Sequence, residues 1–203
     1  VFRELEGDFL VGALSAHLSA NSKIGFLGGA DIPVIRRIHD GWKQGALHVK
    51  PDVLMLSEYT GGKDDVGGFN RPDLGQKMAE KLYQAGADVL YVAAGGTNVG
   101  AIQAAKEGGK MIITTSSDQR WMAPDVIVTC RRKNVGVAVL KLIEDLKKGT
   151  LKAGVTVLDL KAGGVDLVSL EHERIPPEIQ GKLMELRLRL LEGKINVKEY
   201  PAE

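Results

Sequence analysis

Residues 86–98 read GADVLYVAAGGTN and give the clearest local indication of the fold. The apolar run over 89–94 leads into the pair Gly95-Gly96, and a helical pattern begins at Asn98. A buried strand, a glycine turn and a helix in this order are typical of a parallel βα unit.

The same pattern repeats on both sides of this stretch. The sequence predicts strands over 24–27, 53–56, 89–94, 111–114, 126–130, 156–160 and 165–169. Helices are predicted over 9–20, 33–45, 72–85, 98–107, 135–148 and 177–191, where apolar residues recur at helical spacing. This alternation predicts an α/β fold in which the strands over 24–27, 53–56, 89–94 and 111–114 are parallel neighbours.

Composition excludes several classes of function. The formal net charge is +1 without a basic block, which argues against a nucleic-acid partner. The single cysteine, Cys130, is expected in the core, and the four histidines show no metal-ligand spacing. Of these, His39 and His48 are predicted to lie on helix surfaces. No catalytic arrangement stands out, so neither enzymatic activity nor a cofactor is expected.

Ligands of open parallel sheets bind beyond the carboxyl ends of the strands, so the loops there are candidate sites. Gly95, Gly96 and Thr97 open a helix, where backbone amides can receive a polar ligand group, although a plain βα turn explains them as well. Phe69 and Asn70 lie in a long polar loop. The ring could stack on a flat ligand, or it could anchor the loop to its own domain.

Two further polar stretches follow strands. Ser116 and Asp118 offer a hydroxyl and a carboxylate at a strand end, where a turn with a helix cap is the alternative. The run 131–133, Arg-Arg-Lys, is either a solvated charge cluster or the source of one cation, such as Lys133, that turns into a cleft.

Several blocks carry a family resemblance. The segments in question are EGDFLVG (6–12, similar to the family's EGSFLAG), KIGFLGG (23–29), AAGGT (93–97), SDQ (117–119) and GVTVL (154–158). In this order they resemble the basic membrane lipoprotein family, the purine nucleoside receptor type of ABC-transporter substrate-binding protein. The resemblance covers nearly the whole chain.

The resemblance implies a type I periplasmic-binding-protein-like fold: two α/β lobes with helices on both faces of parallel sheets, and ligand held between the lobes. It also implies that the N-terminal portion is missing, so that the first lobe is incomplete. Residues 1–22 and 125–203 would form the remainder of the first lobe with the crossovers. Residues 23–124 would form the second lobe.

Site residues can be carried over where they match the family. Phe69 matches the cleft aromatic, Gly95 or Gly96 the glycine whose backbone faces the ligand, and Lys133 the cleft lysine. Ser116 stands where the family has a ribose-binding aspartate, so a changed or weakened ligand contact is expected there.

The resemblance therefore implies a solute-binding protein of an ABC importer, with a small-molecule ligand, a purine nucleoside by family type, and a permease partner. It implies an extracytoplasmic, lipid-anchored protein whose anchor is absent from this chain. Three alternatives stay open: a ligand-sensing regulatory domain on the same fold, a nucleoside or sugar-phosphate enzyme on a plain α/β fold, and a remnant that binds nothing.

Overall fold

A computed structural model describes residues 1–199, which contain six strands and six α-helices. The strands are β1 (Lys23–Gly28), β2 (Leu54–Tyr59), β3 (Val89–Ala93), β4 (Met111–Ser116), β5 (Ile127–Lys133) and β6 (Val165–Leu167). The helices are α1 (Glu4–Leu18), α2 (Pro33–Val49), α3 (Pro72–Gln84), α4 (Asn98–Gly108), α5 (Val135–Lys147) and α6 (Pro177–Leu191).

All six strands form one sheet in the order β2-β1-β3-β4-β5-β6. The first five are parallel, which confirms the predicted neighbours, while β6 runs antiparallel to β5 at the edge. Every residue of β3 is buried, as expected for a central strand covered on both faces.

Two hydrophobic cores lie on opposite faces of this sheet. Side chains alternate along β3, so that Tyr91 packs with α1, α2 and α6, whereas Leu90 packs with α3 and α4. The fold class is therefore α/β with helices on both faces, and the mixed edge is its one departure from an all-parallel sheet.

Helix α1 starts earlier than predicted and packs closely on α2. The helix begins at Glu4, five residues before the predicted start, and packs on the same sheet as residues 23–116. It lies against α2 backbone to backbone: a Cβ at Gly12 would stand 1.9 Å from the Trp42 carbonyl oxygen, and one at Gly45 would stand 1.8 Å from that of Phe9. Because α1 is apolar on nearly all sides, it needs cover from both sheet and helices.

Strand β5 forms where the sequence predicts a strand and joins the sheet next to β4. The predicted division assigns the segment from residue 126 to the first lobe, and β5 pairs in parallel with β4 in the same sheet. Residues 127–131 are buried, which explains why the strand continues the existing core. The strand expected over 156–160 is reduced to one parallel bridge between Phe2 and Leu158. The division of the chain into two lobes stays a prediction, and residues 200–203 lie outside the described part.

Helix α5 is amphipathic but has no buried residue. A cavity of about 470 Å³ separates it from the chain start, with Phe2, Leu142 and Leu158 among the lining residues. The apolar side chains of α5 are 37–66% exposed, namely Val135, Val137, Val139, Leu140, Leu142, Ile143 and Leu146.

Candidate functional site

The predicted site residues lie along one edge of the sheet. Phe69 sits against the end of β1, Gly95 follows β3, and Ser116 and Lys133 end β4 and β5. These four strands are consecutive in the sheet. With about 4.8 Å between neighbouring strands, the row extends roughly 14 Å from β1 to β5.

The Phe69 ring rests on two glycines. A Cβ at Gly29 would lie 2.3 Å from Phe69 Cδ1, so only glycine leaves room for the ring. Gly95 has a φ of +59°, and a Cβ there would lie 3.4 Å from Phe69 Cβ. The ring is half-buried, and the sheet edge is built around it.

Threonine hydroxyls fix the loop that carries Phe69. Thr60 Oγ1 and Thr97 Oγ1 each donate to the Gly68 carbonyl oxygen at 2.7 Å. Thr97 Oγ1 also accepts from the Arg71 amide, and the Arg71 guanidinium pairs with Asp65 at 3.0 Å. Thr97 is buried, and its hydroxyl links the loop that carries Phe69 to the start of α4. Asn70, the residue after Phe69, is exposed.

Asn98 joins the ends of β3 and β4. Its Oδ1 accepts from the Ala94 amide at 2.9 Å, and its Nδ2 donates to the Thr115 carbonyl oxygen at 3.0 Å. The preceding turn at Gly95–Thr97 therefore faces the sheet edge at the start of α4. The first amides of a helix have no intrahelical acceptor, which favours a polar ligand group at this place.

The two polar residues after β4 behave differently. Ser116 is exposed and free to contact a ligand, and the Thr115–Ser116 peptide bond is cis. Asp118 receives two side-chain hydrogen bonds from Arg120, at 3.0 and 2.8 Å, which lower its pKa to about 2. Its carboxylate is thus already engaged by a neighbour.

Lys133 turns toward the start of the chain. Its ammonium lies 2.9 Å from Glu4 Oε1 and 5.1 Å from the centre of the Phe2 ring. The pair is half-shielded from solvent, and neither Glu4 nor Phe2 was predicted to take part.

The run 131–133 is not a solvated cluster. Arg131 is fully buried, and its Nε donates to Asp8 Oδ1 at 2.8 Å, an atom that also accepts from the Tyr91 hydroxyl. Burial raises the pKa of Asp8 to about 6, although the attraction of Arg131 opposes this shift. Of the three cations, Arg132 alone is exposed.

Comparison with known proteins identifies the family. The profile of the Bmp family, described as ABC transporter substrate-binding protein PnrA-like, matches residues 1–199. The chain belongs to this family.

Relatives of the family are similar along almost the whole chain. Basic membrane protein A of Borreliella afzelii is 32% identical over 200 residues, which is 97% of this chain and 59% of the relative. Basic membrane protein D of Borreliella burgdorferi (strain JD1) is 32% identical over 201 residues, which is 97% of this chain and 57% of that relative. The chain thus spans less than two thirds of the length of these relatives.

Solved structures establish the fold as that of type I periplasmic binding proteins. An ABC transporter solute-binding protein from Aeropyrum pernix K1 is 28% identical, with a TM-score of 0.82 over 97% of this chain and 65% of the other. A transcriptional activator of the comK gene from Bacillus halodurans aligns with a TM-score of 0.84 over 96% of this chain and 65% of its own. Its sequence identity is 21%, so this likeness concerns the fold alone.

The family is one of substrate-binding proteins and not of enzymes. Among residues 1–199, no group of three or more histidine, cysteine or acidic side chains is arranged to hold a metal ion. None of the helices in this range combines the length and the apolarity needed to cross a membrane.

The structure brings some of the predicted site residues together, whereas Lys133 contacts the start of the chain. Phe69, Gly95 and Gly96 are in contact range, and Ser116 lies on the next strand. Sequence reasoning missed Asn98 and Glu4. Asparagine at the start of a helix pattern is a local signal that could have found Asn98, whereas the contact of Glu4 with a residue 129 positions later leaves no local signal.

Proposed function

We propose that the protein is the substrate-binding component of an ABC importer and that it binds a nucleoside-like molecule at the carboxyl edge of the sheet. The observation that carries this proposal is the half-buried Phe69 ring on Gly29 and Gly95, beside the start of α4. An aromatic ring fixed next to exposed polar groups suits a ligand with one flat and one hydroxylated part.

In the proposed complex the base stacks on Phe69, which every base can do because each has a π-face. The sugar lies toward β4, where the Ser116 hydroxyl can hydrogen-bond its oxygens, and the backbone amides at Gly95 and Gly96, after β3, can do the same. A second lobe closes over the ligand by a hinge motion, and a wrong ligand would leave buried polar groups unpaired.

The finer features of this function come from the family type. We propose a purine nucleoside as the ligand, a permease as the transport partner and an extracytoplasmic location with a lipid anchor. The relatives named basic membrane proteins support this location.

Calorimetry on the full-length gene product with purine and pyrimidine nucleosides tests the proposal. We expect Phe69→Ala to weaken binding by about 1–3 kcal/mol, the scale measured for stacked bases. Gly29→Ala should weaken binding as well, because its Cβ displaces the ring without removing any side chain from the site.

Trp121→Ala is the matched control. Trp121 is an aromatic residue that is 79% exposed in the turn after β4, whereas the Phe69 ring packs on Gly29 and Gly95, so the loss of Trp121 should not remove the stacking contact. Absence of any nucleoside binding, or equal affinities for the unmodified protein and Phe69→Ala, would contradict the proposed function.

A further inference from the structure

The environment of the Lys133 ammonium is built from two residues at the start of the chain. Glu4 Oε1 lies 2.9 Å away, and the Phe2 ring lies below at 5.1 Å. The side-chain exposures are 34% for Lys133 and 12% for Glu4, so water screens this pair less than a surface pair.

Glu4 suits this role because of its position. It is the first residue of α1, where the helix dipole favours a negative charge. A largely buried carboxylate without a counterion is strongly unfavourable, so Glu4 and Lys133 hold each other in place.

The same balance of charge extends along the sheet edge. Four pairs of oppositely charged side chains lie next to the strand ends, each within 3.0 Å, while Arg132 in β5 is exposed. The pairs are Lys133–Glu4, Arg120–Asp118, Arg71–Asp65 and Arg36–Asp31. These four pairs contribute no net charge to the proposed binding edge.

We propose that Glu4 is a positioning residue that neutralises Lys133 and thereby makes the site select uncharged ligands over their phosphorylated forms. This inference rests on the proposed function, since it assigns the charge class of the ligand at the same site. A nucleoside monophosphate would bring a dianion toward an ammonium that Glu4 already neutralises, so Lys133 could not compensate the desolvation of the phosphate. A nucleoside meets no such barrier.

The test compares guanosine with guanosine 5′-monophosphate by calorimetry on the full-length gene product. In Glu4→Gln the freed ammonium can pair with the phosphate. The affinity ratio should therefore shift toward the monophosphate by roughly tenfold or more, the scale of a charge-assisted hydrogen bond. The double variant Glu4→Gln/Lys133→Gln should return the ratio to that of the unmodified protein, which a merely structural role of Glu4 would not do.

Glu6→Gln is the matched control on the same helix. Its carboxylate accepts from the Leu160 amide at 2.8 Å and does not pair with Lys133, so the ratio should stay unchanged. If guanosine binds and Glu4→Gln leaves the ratio unaltered, the Glu4 proposal is overturned while the proposed function stands.

A second readout needs no nucleoside. Acetylation of Lys133 by acetic anhydride, followed by mass spectrometry with the exposed Lys148 as internal reference, should be several-fold faster in Glu4→Gln. Inorganic phosphate should also bind this variant more tightly than the unmodified protein. If no nucleoside binds, the proposed function fails, and these two measurements decide the Glu4 proposal: unchanged acetylation and phosphate binding overturn it.

Discussion

At the scale of single residues, Ser116 marks the departure from the family pattern. It stands where the resemblance places an aspartate that binds the ribose, and the nearby Asp118 is already held by Arg120. The hydroxyl can replace only part of a carboxylate's contact with two sugar hydroxyls.

We predict that Ser116→Asp tightens ribonucleoside binding by about tenfold, because charge-assisted hydrogen bonds exceed neutral ones by roughly 1 kcal/mol or more. A 2′,3′-dideoxy analogue should gain less, and calorimetry with both ligands measures the difference. Ser117→Asp, at the next exposed position, is the control for added charge. An equal gain for both ligands would show that position 116 does not contact the ribose.

His39 was predicted on a helix surface and is instead buried. Its ring stacks on Phe26 with 4.3 Å between centroids, and its Nδ1 is joined to the Tyr59 hydroxyl by a hydrogen bond of 2.9 Å. Desolvation lowers its pKa from 6.5 to about 3, so the neutral ring is the folded form.

This pKa predicts an acid-sensitive contribution to stability. Between pH 6.5 and 3 the unfolded chain binds a proton at His39 that the folded chain does not. The contribution of neutral His39 to the free energy of unfolding is thus complete above pH 6.5 and is lost as the pH falls toward 3. We expect a loss of about 2 kcal/mol between pH 7.5 and 5.

Urea unfolding of the unmodified chain and His39→Gln at both pH values measures this loss as a difference. The comparison is needed because Asp8, whose pKa is raised, acts in the opposite sense between its ordinary value of 3.8 and about 6. Equal pH dependence in both proteins would mean that His39 titrates normally in the folded chain.

At the scale of elements, helices with one apolar stripe and clear ends are predictable. Helix α6 begins at Pro177 and ends before Gly193, as proline and glycine at its ends indicate. The start of α1 was missed because Asp8 suggests a solvated position. Asp8 can be buried because Arg131, 123 residues away, supplies the opposite charge. Local sequence patterns do not reveal such a distant partner.

The Asp8–Arg131 pair links α1 to β5, and both side chains are fully buried. We predict that Arg131→Met destabilises the fold by about 3–5 kcal/mol, because Asp8 loses its counterion. Asp8→Ser should also destabilise, by leaving a buried cation unpaired. The double variant should cost much less than the sum of the two single changes, which urea unfolding would show as a coupling energy. Additive losses would mean that the pair is not coupled.

At the scale of the whole molecule, the sequence predicts that the central strands are parallel neighbours and indicates which sheet edge carries the candidate site. The alternation of strands and helices suffices for this, because carboxyl ends of parallel strands meet at one edge. It does not determine which side chains meet across that edge. The neutral pairing of Lys133 with Glu4 depends on where β5 ends relative to α1, which is a property of the assembled fold.

Helix α5 shows what the described part of the chain leaves uncovered. Val135, Val139, Leu142 and Leu146 recur at intervals of four, three and four residues along one face, and each is at least half exposed. Monomeric proteins rarely expose contiguous apolar patches larger than a few hundred Å². The matched relatives are longer than this chain. Where a protein of this family carries those further residues, we expect some of them to cover the apolar face of α5.

We therefore predict that the 203-residue chain by itself associates through α5 at micromolar concentration, as measured by static light scattering. Leu142→Lys with Leu146→Gln should shift the mass toward the monomer, because both changes solvate this face without altering the buried cores. Leu188→Gln is the matched control, since Leu188 on α6 is exposed to the same extent as Leu142 and lies outside the face. A stable monomer of the unmodified chain would contradict this prediction, because it would show that the apolar face of α5 can stay exposed to solvent without another chain covering it.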